Sequence, residues 1–145
     1  MNGWKAAGLV AVGISIGAGG MAAAQAMLPA PTAPMKGDQQ VRIDLGKAFP
    51  QMQGYELVLA RLTVVPGAGI APHAHKDMPE VANVASGVLS EQRNGGPPHT
   101  YGPGSTLIND ETTTHTIINM GKEPVVFYAA HVSKPQTRVK PPAPR

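Results

Sequence analysis

The chain has 145 residues, of which 42% are hydrophobic and 14% charged, with no cysteine and a formal net charge of +3. That length sets a single domain, and the missing cysteines exclude disulfides, zinc ribbons and thiol catalysis together. Its 17 glycines and 15 prolines suit short strands joined by tight turns better than helices.

Residues 1–26 read as a leader. Met1 to Lys5 supplies a short n-region with one positive charge, Ala6 to Ile16 is apolar, and Ala22-Ala23-Ala24 and Ala24-Gln25-Ala26 offer cleavage sites. The lack of charge between Lys5 and Lys36 also fits an uncleaved N-terminal anchor. The strongly apolar part runs for about 8 to 11 residues before Gly17, short of the roughly 20 that a spanning helix needs. A cleaved signal peptide is therefore expected, and a periplasmic or secreted domain in either case. Residues 27–39, with Pro29, Pro31 and Pro34, read as an extended linker. Residues 134–145 read as a proline-rich basic tail.

That tail accounts for the basic charge. Between Lys36 and Ser133 seven basic residues face nine acidic ones, so the folded part is mildly acidic and no nucleic-acid partner is expected. Aromatics make up 4% of the chain, which also argues against base stacking.

Between the tails, over 40–133, strand follows strand. Val41 to Leu45 alternates, and Tyr55 to Val65 is a β-branched and leucine-rich run that ends at Pro66-Gly67. Val81 to Arg93 reads as two strands kinked at Gly87 and ending in the turn Asn94-Gly95-Gly96. Ser105 to Ile108, Thr112 to Asn119 and Pro124 to Val132 complete the set, with Met120 to Glu123 expected as a hairpin turn. Six or more short strands at this spacing predict an all-β sandwich or barrel.

The chemistry concentrates in PGAGIAPHAHKDMPEVANVASG, residues 66–87. His73 and His75 are two apart, so an extended strand points both imidazoles the same way, and the turn at Pro79 lets Glu80 come back towards them. Two imidazoles and a carboxylate are a transition-metal site short of one ligand, and His115 on a later strand is the candidate. Single histidines usually satisfy local hydrogen bonds. Four candidate ligands in this pattern point to a metal more strongly than to ordinary strand positions. His131 closes the last strand and alternates with Ala129 and Phe127, which makes it a candidate to support the site or relay protons. His99 in its proline-rich turn and Arg61 beside Thr63 read as surface residues. There is no glycine-rich phosphate loop, no nucleophile elbow and no second carboxylate spaced to work with Glu80.

The spacing of Gly67, His73, His75, Glu80 and Gly87 resembles the first motif of the cupin superfamily, with every fixed position filled. Gly104, His115 and Asn119 resemble the second, with Asp110 where proline is usual and Thr112 where glycine is usual. The resemblance implies a single-domain jelly roll with a mononuclear site of three histidines and one glutamate. It also implies a function as an oxygenase or related oxidoreductase, and pairing through edge strands as a homodimer.

Three neutral imidazoles and one carboxylate leave a divalent ion near +1, a centre that favours a small anionic or chelating ligand. The metal stays open among Zn, Cu, Ni, Mn and Fe. The affinity order outside the cytoplasm favours copper and zinc, whereas the resemblance points to iron or manganese. Two functions remain: metal-dependent conversion of a small molecule, or a non-catalytic binding or sensing module.

Overall fold

The computed structural model describes residues 27–134, so the expected signal segment and the tail beyond Lys134 lie outside the described residues. Among the described residues no helix is long and apolar enough to cross a membrane. Ten strands follow one another: β1 (Ala33–Pro34), β2 (Lys36–Asp44), β3 (Glu56–Val64), β4 (Ala68–Ala74) and β5 (Glu80–Ser86), then β6 (Leu89–Arg93), β7 (Pro98–Tyr101), β8 (Thr106–Asn109), β9 (Thr114–Ile118) and β10 (Val125–Ser133). Two short 3-10 turns, Leu45–Lys47 and Pro50–Met52, join β2 to β3.

The strands form two five-stranded sheets, ordered β1-β4-β9-β6-β7 and β2-β3-β10-β5-β8. The all-β expectation holds, in the jelly-roll arrangement of two packed sheets. Buried residues alternate along stretches of β3, β5 and β8, whereas β6 and β9 are buried at successive positions, and Val58, Val64, Val84, Leu89, Val125 and Phe127 are among the buried core residues.

From β3 onward the chain mostly changes sheet at each connection, and its turn residues make those crossings. At Gly87 the backbone takes φ +76°, and a Cβ there would lie 2.8 Å from the Pro124 carbonyl, so glycine is required between β5 and β6. Met120 to Glu123, expected as a hairpin turn, instead carries the chain from β9 in one sheet to β10 in the other. The buried Asn119 clips this crossing, donating to the carbonyls of Val64 and Glu123 at 2.8 Å each and accepting from Gly121 N at 2.8 Å. The side-chain bonds replace the hydrogen bonds that a hairpin would have made.

Two stretches carry more structure than their composition suggested. Residues 27–39 lie along the barrel. β1 pairs in parallel with β4, Leu28 N donates to Gln92 Oε1 at 3.1 Å, and β2 already begins at Lys36. The segment thus runs from Gln92 on β6 at Leu28 to the β4 edge of the first sheet at Ala33. The proline-rich stretch around His99 forms β7, paired with β6 from Leu89↔Tyr101 to Gln92↔Pro98. Proline is tolerated there because β7 is an edge strand. His99 itself is exposed, as expected.

Candidate metal centre

β4 and β9 are antiparallel neighbours with His73 directly opposite His115, and His75 follows just beyond the end of β4. Strand register alone therefore brings the two motifs together. The Nε2 atoms of His75 and His115 are 2.9 Å apart, and those of His115 and His73 are 3.2 Å apart. His75 and His115 are buried, at 1% and 4% exposure, and His73 is half-buried.

The outer nitrogens settle the tautomers. His73 Nδ1 donates to the Ala71 carbonyl at 3.0 Å, and His75 Nδ1 donates to the Met78 carbonyl at 3.0 Å. A carbonyl oxygen only accepts, so both protons sit on Nδ1. His115 Nδ1 donates to Glu91 Oε1 at 2.5 Å. Burial pulls the Glu91 pKa up, but hydrogen bonds from His115, Arg93 and Tyr101 outweigh it and hold the carboxyl down at about 2. Glu91 is therefore an ionised acceptor. All three Nε2 atoms are left as lone pairs aimed at one another, which is unfavourable unless a cation sits between them. Burial also lowers the pKa of His73 below 6.5, which favours its neutral, ligating form.

The spacing fits one ion. Two imidazole nitrogens each about 2.1 Å from a common metal, at angles of 90–110°, would be about 3.0–3.4 Å apart. Hydrogen bonds from each Nδ1 to a carbonyl or carboxylate are also the usual way that ligating histidines are oriented.

Glu80 occupies a different place from the three imidazoles. It lines the same cavity, but its Oε1 accepts from Asn109 Nδ2 at 3.0 Å, and the group of mutually close ligand atoms consists of His73, His75 and His115. Asn109 is in turn held by Arg93, whose Nη2 donates to Asn109 Oδ1 at 2.8 Å and to Glu91 Oε1 at 3.0 Å. One hydrogen-bonded chain thus runs His115–Glu91–Arg93–Asn109–Glu80 and ties the two sheets together at the site. Tyr101 completes it, donating its hydroxyl to Glu91 Oε2 at 2.8 Å.

Glu91, Arg93, Asn109 and Tyr101 escaped the sequence reading. The available signal was Glu91 and Arg93 two apart in the β6 strand, an acid and a base on one face. Asp110 and Thr112, the two departures from the second motif, leave the turn intact. The Asp110 Oδ1 accepts from Thr112 N at 3.0 Å, Thr112 Oγ1 at 2.7 Å and Thr113 Oγ1 at 3.0 Å, an Asx turn that needs neither proline nor glycine.

His131 faces the interior from β10, opposite Glu80 on β5. Its Nδ1 is the buried side-chain polar atom without a partner among the described residues. Burial keeps its pKa below 6.5 against the opposing pull of Glu80. It lines, with His73, Glu80 and His115, one wall of a cavity of about 250 Å³ whose other walls include Leu62, Ile70, Ile117 and Phe127. An open cleft of about 1130 Å³ adjoins this cavity and shares Gln40, Met78 and His131 with it. Arg61 lies outside, paired with Asp38 at 2.7 Å.

The cupin-domain family model matches residues 60–131. Among solved structures, the chain is similar to a protein from Thermotoga maritima described as a predicted oxalate decarboxylase, at 20% identity and a TM-score of 0.52, over 65% of this chain and 78% of that one. It is also similar to the Cnp3 cupin domain of Schizosaccharomyces pombe, at 18% identity and a TM-score of 0.50, over 68% of this chain and 64% of that one. These likenesses speak to the fold. No curated protein matches the sequence.

Proposed function

Because the chain belongs to the cupin superfamily and its three histidines converge, we propose that it is an exported protein that binds one divalent transition metal and uses it to hold and convert a small molecule. The observation that carries this reading is the set of three Nε2 lone pairs within 2.9–3.2 Å of a neighbour, each imidazole oriented from behind by an oxygen acceptor. His73, His75 and His115 would hold the ion, with Glu80 as fourth ligand on release of its bond from Asn109. The ion would supply Lewis acidity and a positive site for an anionic or chelating group.

The chain's own residues set what fits. A cavity of about 250 Å³ admits a molecule of modest size, its oxygen-bearing end towards the imidazoles and its apolar body against Ile70, Ile117 and Phe127. The free Nδ1 of His131 is placed to accept a proton from such a ligand or return one. The adjoining cleft supplies the way in. A second reading, a binding or sensing module in which nothing is converted, rests on Glu80 and His131 being the only acid–base groups that line the cavity besides the imidazoles of His73 and His115 among the described residues.

A cavity-filling variant tests the reading. Ala129 is 1% exposed and lines the cavity, so Ala129→Val should retain one metal per chain while ligand affinity falls at least tenfold by calorimetry. Suitable probes are short diols, diketones, catechols and hydroxy acids. Unchanged ligand affinity would move the binding site elsewhere. Oxygen uptake with the same probes separates the two readings, since a binder consumes none.

A further inference from the structure

The row of residues that carries Glu80 extends well past the metal centre. Its register runs Arg42↔Val58↔His131↔Glu80↔Asn109, one continuous line across all five strands of the second sheet. Val58 is fully buried, so the line lies on the inner face, and its far end, Arg42, is exposed in the open cleft. Neighbouring strands lie about 4.8 Å apart, which sets the Arg42 backbone about 10 Å from that of His131 and about 14 Å from that of Glu80. Glu80 and His131 already have places in the metal site. Arg42 has none.

Arg42 stands where the cleft opens into the cavity. Its Nη1 donates to Glu56 Oε2 at 2.7 Å and its Nη2 to Gln40 Oε1 at 2.8 Å. Gln40 lines both spaces, so this bond holds the guanidinium at their junction. A guanidinium carries more N–H donors than these two bonds use, and with Oε1 of Gln40 taken, its Nε2 is a further donor at the same place. The neighbouring row runs Gln40↔Ala60↔Ala129, and both alanines belong to the cavity wall, so short side chains keep the way to the imidazoles clear.

Charge in the cleft also selects an anion. Arg42, Lys76 and Lys134 line it with Glu56 and Asp77, three cations with two carboxylates, and Glu56 is already bound to Arg42. The field of Arg42 reaches the site. Burial chiefly lowers the pKa of His131, Glu80 raises it, and the positive charge of Arg42 lowers it again.

Resting on the reading of a metal-held ligand, we infer that Arg42 and Gln40 form a second anion subsite. The ligand is then a small acid with two anionic groups, one on the ion and one, several methylenes away, on the guanidinium. Arginine offers a carboxylate two parallel N–H bonds, whereas Lys76 or Lys134 offers a point charge. Held from behind by Glu56 and Gln40, the guanidinium loses little freedom when the ligand arrives. An exposed pair such as Arg42–Glu56 adds little to stability, which suits a part in binding rather than in folding.

Calorimetry on the zinc-loaded full chain tests the proposal, with 2-hydroxy monocarboxylates and 2-hydroxy dicarboxylates of matched length as probes. At the best length the dicarboxylate is expected to bind at least tenfold more tightly. Arg42→Gln should keep one zinc per chain and bring the two affinities within twofold. Should that variant fail to fold, Gln40→Leu reads the same subsite, with dicarboxylate affinity falling at least threefold. Equal affinity of the wild-type chain for both acids at every length would overturn the proposal, as would a preference that survives Arg42→Gln. A chain that takes up no zinc would overturn the metal reading and the subsite together. One that binds its zinc and shows no dicarboxylate preference overturns the subsite alone.

Discussion

Replacing His115 by alanine is expected to reduce bound metal from one ion per chain to less than a tenth of that after dialysis against a weak chelator. His115 is the imidazole common to both short Nε2 contacts, so its loss leaves His73 and His75 without their shared neighbour. Removing one of three neutral nitrogen ligands should weaken affinity by a thousandfold or more, because a two-histidine remainder no longer encloses the ion. The fold should survive. Glu91 keeps its hydrogen bonds from Arg93 and Tyr101, so the expected stability cost is about 1–3 kcal/mol, read as a modest fall in Tm of the metal-free protein. Metal analysis and thermal denaturation of both forms check the two halves separately, and unchanged metal content would remove His115 from the site.

The second large effect belongs to Glu91. Glu91→Gln preserves shape but removes the charge, and its amide Nε2 must then face a donor, either the His115 Nδ1 and Arg93 Nη2 that share Oε1 or the Tyr101 hydroxyl on Oε2. Leaving buried donors unmatched costs about 2–4 kcal/mol of stability. Metal affinity should fall 10–100-fold through the misoriented His115. The variant should also lose an acid-sensitive component. The folded pKa of Glu91, about 2, lies below the ordinary 4.5, so its contribution of about 3 kcal/mol is present above pH 4.5 and lost as pH falls towards 2. Denaturant melts between pH 2 and 5 should show a flatter slope in Glu91→Gln than in wild type. Equal slopes and equal metal affinity would mean that Glu91 neither orients His115 nor anchors the network.

Much of this site was legible in the residues because strand periodicity is local. The two-residue spacing of His73 and His75, the glycine at Gly87 and the distance to His115 follow from strand geometry and turn chemistry. What strand periodicity leaves out is which strand pairs with which. Glu91 becomes a partner of His115 only because β6 lies beside β9, and Asn109 meets Glu80 only because β8 lies beside β5. The same gap explains the crossing at Met120 to Glu123, where a short turn between two strands looks alike whether they share a sheet or not. The alternation of β2 was also visible, but not its direction. Arg42 and Glu56 pair in the open, solvent-accessible cleft at the barrel mouth, on the face of β2 that sets Arg42 opposite Val58, and Val41 and Ile43 face solvent on the other side.

The central claim is that three imidazoles from two distant segments share one cation. X-ray absorption spectroscopy of the zinc- or cobalt-loaded protein at one equivalent tests it most directly. The expected spectrum shows three imidazole nitrogens at about 2.0–2.1 Å, with the multiple-scattering pattern of histidine rings. A bound ion surrounded by oxygen alone, or a protein that takes up no metal at stoichiometric concentration, would contradict it.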